Sequence, residues 1–310
     1  MTNKSLDTLV VGVSSRALFN LELENKIFEE EQIQGFRKYQ LENEDVILKE
    51  GTAFPLIQAL LKLNSYVDSK KPIVEVVVMS RNSPETGTRV LKSIQHYDLP
   101  ITRMAFSGGE PIPPFIEAFD VDLFLSKDEK EVQTVIDNAS CATALVYDPP
   151  ENYKSETDRV KFAFDADAVV FSEASEKIYK EHGIDAFLAH EKENEDVPLD
   201  DGPFAELLRK LSKIQMHLPM TIELSPLRIA IVTARSAPSH MRVIKTLRKW
   251  GVYVDEAYFM GGLPKDRVLK AFGAHIFFDD QSIHLDNSSK EVPCGRVLYR
   301  SNSSMKKYEN

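Results

Sequence analysis

Short apolar runs alternate along this chain with longer stretches in which apolar residues recur at helical spacing. LVVGV at 9–13 reads as a buried strand, too short and too uniformly apolar for one face of a helix. VEVVVMS at 74–80 repeats that pattern, and MAFSG and VDLFLS read as further strand ends near 104–108 and 121–126. Helical spacing fills 23–45, 54–67 and 83–97. The order is a strand, a long helical insert, then β-α-β-α-β, which predicts a parallel sheet covered by helices. The second half has the same grammar. VKFAFD at 160–165, LRIAIVT at 227–233, YFMG at 258–261 and HIFFDD at 275–280 are strand-like. Residues 172–193, 203–215 and 240–250 are helix-like, and Gly251 is placed to stop the last of these, with Gly273 stopping the following helix.

The two halves also match residue by residue. A shift of 151 places Glu42-Asn43-Glu44-Asp45-Val46 on Glu193-Asn194-Glu195-Asp196-Val197, and Gly51 on Gly202. A shift of 153 places Arg89 on Arg242, Lys92 on Lys245, Gly108-Gly109 on Gly261-Gly262 and Ala118-Phe119 on Ala271-Phe272. A repeat unit this long can hold its own core, unlike the short units of a solenoid. Charged positions break the match. Asp165 falls on Ser14, Asp167 on Arg16, Arg235 on Asn82, Lys265 on Ile112, and Asp279-Asp280 on Ser126-Lys127, while Thr233 falls on Ser80 and keeps its hydroxyl. The apolar framework is duplicated and the acids are not. The expectation is an α/β chain of two related Rossmann-like units. Residues 1–150 form the degenerate one, and 151–310 form the chemical one with a mainly helical insertion at about 172–222.

Composition narrows the partners. The formal net charge of −10 at pH 7, with lysine and arginine scattered, argues against nucleic acid but leaves room for a local metal site that takes a small phosphate. Cys141 and Cys294 are the only cysteines, which excludes a disulfide framework or a cysteine-rich zinc site. The first residues lack a signal-peptide pattern and no apolar run has membrane-spanning length, so no membrane partner and a cytoplasmic location are expected.

Asp165-Ala166-Asp167 follows an apolar strand. A lone Asp-x-Asp is a weak signal, since two surface acids at a turn look the same. It gains weight from Thr233 after a second strand, Lys265 near a third and Asp279-Asp280 ending a fourth, because ligands in open α/β sheets gather at the carboxyl ends of strands. Together these residues supply the parts for phosphomonoester hydrolysis. Asp165 is the candidate nucleophile and Asp167 the candidate acid and base. Thr233 can hold a phosphate oxygen, and Lys265 can offset charge on phosphate and on Asp165. Mg²⁺ is the expected cofactor, with Asp165, the Asp167 backbone carbonyl, Asp279 and Asp280 as candidate ligands; the sequence does not decide between the two adjacent acids.

With these residues in place, the chain resembles the haloacid-dehalogenase superfamily of phosphatases. TARSAP at 233–238, RVIKTLRKWGV at 242–252, DEAYFMGGLPK at 255–265, FFDDQ at 277–281, MSRNSPETG at 79–87 and AFSGG at 105–109 make it resemble, more narrowly, the cytosolic 5′-nucleotidase class I family. That resemblance implies a magnesium-dependent enzyme acting on nucleoside 5′-monophosphates, AMP first, through an aspartyl-phosphate on Asp165. It also implies that the segment between Asp165 and Thr233 is a cap, with Phe171, Phe187 and His190 as candidates for the base side. Core packing for the phenylalanines and an exposed helix face for His190 are the plainer readings. Arg235 and Ser236 are candidate substrate contacts, and a surface salt bridge is the competing reading for Arg235. Another small-molecule phosphomonoesterase and a nucleotide-binding regulatory protein are the alternative functions. The first half is open to roles as a buttress, an oligomer surface or a regulatory nucleotide site.

Overall fold

The computed structural model describes residues 8–67, 71–151, 153–156, 158–218 and 224–309. The end of the expected insertion, at 222, lies outside the described residues.

In the first half the apolar runs become β1 (Leu9–Ser14), β4 (Val74–Ser80), β5 (Arg103–Phe106), β6 (Leu123–Ser126) and β7 (Ala142–Val146), with β2 (Phe19–Asn20) and β3 (Lys49–Glu50) forming a small separate pair. The helices are α1 (Ser15–Leu18), α2 (Glu22–Glu42), α3 (Phe54–Lys62), α4 (Thr88–His96), α5 (Pro113–Ala118) and α6 (Glu129–Asn138). The second half contains β8 (Val160–Phe164), α7 (Ala174–Glu193), α8 (Ala205–His217), β9 (Leu227–Thr233) and α9 (His240–Trp250). It continues through β10 (Glu256–Phe259), α10 (Asp266–Phe272), β11 (Ile276–Asp279), α11 (Ser282–Ser288) and β12 (Cys294–Arg296). Gly251 and Gly273 end α9 and α10 in the left-handed conformation, as their positions predict.

One ten-stranded sheet runs through both halves in the order β10-β9-β8-β11-β12-β7-β6-β1-β4-β5. Every neighbouring pair is parallel except β12 and β7, which pair antiparallel at Gly295–Val146 and Arg296–Leu145. The two expected units share this one sheet and are not resolved as discrete Rossmann units; the fold is a large mixed sheet with flanking helices. Read outward from the antiparallel joint, both sides have the same succession of strands. That joint also reverses direction, so the carboxyl strand ends of the two halves face opposite edges of the sheet.

Packing repeats as well. Gly51 lies where a Cβ would come within 2.7 Å of the Ala17 carbonyl oxygen, and Gly202 where one would come within 2.3 Å of the Phe171 carbonyl oxygen. The repeated glycines are thus spacers for backbone that passes too close for any side chain. The repeated acidic run is a clamp: Lys92 Nζ meets Glu44 and Asp45 at 2.6 Å each, and Lys245 Nζ meets Glu195 at 2.5 Å and Asp196 at 2.6 Å. These pairs are solvent-accessible, Asp45 and Asp196 almost fully so, and orient loops more than they stabilise the fold. The central core of the second half is aromatic, with Phe164 stacked on Phe162 and on Phe278, and Phe204 packed on Phe278. Among the described residues, no helix is long and apolar enough to cross a membrane.

Candidate active site

Three adjacent parallel strands, β9-β8-β11, deliver Thr233, Asp165 and Asp279 to one edge of the sheet. The Asp165 N–H donates to the Phe278 carbonyl at 2.8 Å, which fixes the backbone at the point where β8 ends. The chain then turns tightly through Ala166–Val170, with Ala168 at φ 58°, and the Phe171 N–H closes the loop on the Ala166 carbonyl at 2.9 Å. This turn presents Asp167 toward β9. Lys265 reaches inward from the start of α10, after a turn in which Gly261 and Gly262 adopt φ 57° and 84°.

The sequence candidates Asp165, Lys265, Asp279 and Asp280 converge, all buried. Lys265 Nζ sits 2.9 Å from Asp165 Oδ1 and 2.7 Å from Asp279 Oδ2. One carboxylate oxygen from each of Asp165, Asp279 and Asp280 lies within 4.8 Å of the others. The adjacent acids are placed differently. Asp279 is saturated: its Oδ2 accepts from Lys265 and lies 3.1 Å from His284 Nδ1, and its Oδ1 accepts from the Gln281 N–H at 2.9 Å. Asp280 takes the Tyr299 hydroxyl on Oδ2, while its Oδ1 is buried with no hydrogen-bond partner.

Electrostatics follow this geometry. Burial pushes the Asp165 carboxyl up to about 7, with Lys265 opposing and Asp279 and Asp167 adding to the rise. Burial, then the charges of Asp279 and Asp165, raises Asp280 well above the usual carboxylate range. Burial also works against ionised Asp279, but Lys265 and His284 more than offset it and hold that carboxyl low. Burial works against the charged Lys265, yet Asp165 and Asp279 keep its ammonium above its ordinary range. Mutually repelling buried acids, one of them with an orphaned oxygen, form a donor set suited to a hard divalent cation with oxygen ligands.

Arg235 is salt-bridged but not on the surface. Its Nε and Nη2 hold both Asp167 oxygens, at 2.7 and 2.6 Å, and its Nη1 meets Glu191. The guanidinium lies over the Phe187 ring, 5.2 Å from its centroid. Glu191 also accepts from Arg242 at 2.8 Å and from Ser175 at 2.9 Å. Burial disfavours ionised Glu191, but Arg235 and Arg242 keep it below the usual range. Thr233 is buried and accepts the Arg235 N–H at 3.3 Å. His190 is half-buried with Nδ1 3.3 Å from Glu191, and Ser236 is exposed. Phe171 does not join the cluster: it is fully buried against Trp250, with ring centroids 5.3 Å apart. Nor does α8, whose Leu207, Leu208, Leu211 and Ile214 pack into the core beside the sheet. Of the expected insertion, α7 supplies the contacts to this site.

No local motif marks Glu176, Glu191, His284 or Tyr299. Glu176 meets Gln281 at 3.3 Å, and burial followed by the charge of Asp167 raises its carboxyl above the ordinary range. Two of the four had a signal in the repeat register, because Glu191 falls on Gln40 and His284 on Glu131.

The first half shows what replaces this chemistry. Arg16 pairs with Glu22 at 2.6 Å, Lys127 bridges Glu22 and Asp148, and Ser126 donates to Glu131 at 2.6 Å. Arg16 and Lys127, at the positions of Asp167 and Asp280, are thus paired within the first half. Burial, with Asp128 adding and Ser126 and Arg81 opposing, pushes the Glu131 carboxyl from 4.5 up to about 7. The folded protein then holds a proton that the unfolded chain releases. The stability this contributes is complete below pH 4.5 and is lost as pH rises through about 7. Glu131→Gln is expected to flatten that slope and to stabilise the protein by about 2–3 kcal/mol at pH 8. Denaturant melts of both proteins from pH 5 to 8 check it; parallel stability curves would refute it.

A family model described as 5′-nucleotidase matches residues 1–304. The chain belongs to the 5′-nucleotidase family. Human “Cytosolic 5′-nucleotidase 1B” is 36% identical over 294 residues, covering 93% of this chain and 48% of the human protein. This 5′-nucleotidase-family chain therefore spans about half the length of that relative. One solved structure, “Structure of Pnkp1/Rnl/Hen1 complex”, covers 96% of this chain and 99% of its own at 14% identity, with a TM-score of 0.33, too low to carry any argument.

Proposed function

We propose that this chain hydrolyses nucleoside 5′-monophosphates, AMP first among them, to nucleoside and phosphate. The observation that carries the proposal is the buried Asp165–Lys265–Asp279–Asp280 cluster at the carboxyl ends of adjacent strands in a chain of the 5′-nucleotidase family. The Asp165 carboxylate attacks phosphorus and the P–O bond to the nucleoside breaks. Asp167 gives a proton to the departing 5′-oxygen. Asp167 then takes a proton from water, and that water attacks the aspartyl-phosphate, releasing phosphate and restoring Asp165. Both Asp167 oxygens are held by Arg235 in the state described, so one of those bonds must open before Asp167 can exchange a proton. An incoming phosphate is a competing partner for Arg235.

Mg²⁺ fits the donor set, and bound there it would offset the charge of phosphate and carboxylates together. Asp165, Asp280 and the Asp167 carbonyl are the proposed ligands. Asp279, already saturated, orients Lys265 instead. Lys265 and the Thr233 hydroxyl hold phosphate oxygens. We assign residues 1–150 to a catalytically silent copy of the fold and α7 to the cap, with Phe187 and His190 on the base side. The name of the human relative supports a cytosolic location.

The discriminating measurement is kcat/KM across a substrate panel. Nucleoside 5′-monophosphates are expected to exceed ribose 5-phosphate and p-nitrophenyl phosphate by at least about ten-fold, since a few added contacts to base and sugar supply over 1.4 kcal/mol. A flat profile would point to a general phosphomonoesterase.

A further inference from the structure

We propose that the cleft at the carboxyl strand ends of the first half binds an uncharged nucleoside without a metal ion. Ser14, Ser80 and Ser126, which stand where the second half has Asp165, Thr233 and Asp279, line this cleft of ≈ 540 Å³. Its size suits a small organic ligand. Because β7 and β12 pair antiparallel, it opens on the sheet edge opposite the Asp165 site and is not an extension of it.

Its wall is apolar and aromatic. α2 breaks at Gln32 (φ 58°, ψ −163°), and Phe28, Ile33 and Phe36 on either side of that break line the cleft. Phe28 and Phe36 meet edge to face at 5.9 Å, yet Phe28 is 45% and Ile33 69% exposed. Such a wall suits a flat ring.

The floor offers a hydrogen-bonding edge. Gln40 lines the cleft, is 2% exposed, and has no partner for its amide oxygen or its amide nitrogen. Its counterpart Glu191 is held by Arg235 and Arg242. In the first half Arg235 becomes Asn82, and Arg89, the counterpart of Arg242, turns instead to Glu24 at 2.5 Å. Gln40 is left with a donor and an acceptor side by side, and leaving both unmade is costly. A nucleobase edge that presents an acceptor next to a donor satisfies both at once.

Charge decides against a phosphate. Three arginines and four carboxyl groups line the cleft. Arg16 is paired with Glu22, Arg37 with Glu85, and Arg81 donates to the Gly109 carbonyl. Among the described residues, no acid triad lies in this cleft to hold a cation against a dianion. The choice of nucleoside as the class rests on the proposed reaction, which releases one.

The test is isothermal titration of the 310-residue Asp165→Asn chain with adenosine, cytidine and AMP in EDTA. At least one nucleoside should bind at one site per chain, and AMP should bind that site at least ten-fold more weakly. Adding Gln40→Leu should weaken nucleoside binding at least ten-fold without lowering the melting temperature, since a purely structural amide would destabilise on replacement. Phe36→Ala should weaken binding and Phe187→Ala should not. The proposal is overturned if neither nucleoside binds, if AMP binds more tightly in EDTA, or if Phe187→Ala rather than Gln40→Leu removes binding. Phosphate release from AMP by the wild-type chain is measured alongside. Turnover without nucleoside binding would sink only this cleft, and nucleoside binding without turnover would sink only the proposed reaction.

Discussion

Asp165→Asn is expected to lower turnover of AMP by about 10⁴-fold or more while leaving the chain folded, because an amide cannot serve as the attacking group. The fold should tolerate the change. Asp165 is buried among Asp279, Asp280 and Asp167, and burial already pushes its carboxyl up to about 7, so removing the charge relieves repulsion. The Lys265 ammonium loses one carboxylate but keeps Asp279 at 2.7 Å. A melting temperature equal to or above that of the wild type, with phosphate release near the background rate, is the expected pair of results. Turnover within ten-fold of the wild type in a preparation free of contaminating phosphatase would remove Asp165 from the reaction.

The second large effect is at Asp280. Mg²⁺ should raise the melting temperature of the wild-type chain, because a ligand that binds only the folded state at a hundred times its dissociation constant adds about 2.7 kcal/mol. Asp280→Ala should abolish that shift and cut activity by about 10²-fold or more, or move the Mg²⁺ requirement upward by a similar factor. The reason is geometric: Asp280 has a buried oxygen with no partner, whereas every oxygen of Asp279 is already engaged. Ser126→Ala, in the first half, should leave both readouts unchanged, since Ser126 donates only to Glu131. Equal loss of Mg²⁺ stabilisation in the two variants would refute a metal site built by the second half alone.

Glu191 and Asp167 show why single substitutions around Arg235 need care. Arg235 links two carboxylates that would otherwise repel each other, and Glu191 also joins Arg242 and Ser175. Removing one member leaves a buried charge unpaired, so effects at these positions will mix folding with chemistry.

What the sequence determined was everything carried by local pattern and by self-comparison. Strands such as β1, β8 and β9 are legible because a buried parallel strand must be apolar on both faces. The loss of acids from the first half is legible because a shift of 151 to 153 residues aligns it with the second. Asp165, Lys265, Asp279 and Asp280 could be gathered in advance because parallel strands present their carboxyl ends together. Tertiary structure decided what depends on partners far away in the chain. β12 is three residues with no periodicity of its own, and it is a strand only because β11 and β7 flank it. α7 and α8 both read as helix, yet only packing separates the one that supplies Glu176 and Glu191 to the site from the one that lies in the core. The same holds for the two adjacent acids. Asp279 and Asp280 are indistinguishable in sequence, and differ because Lys265, His284 and Gln281 satisfy one while the other is left with an unpartnered oxygen. A hydrogen bond across the fold is set by where the backbone carries its two ends, and no local pattern records that.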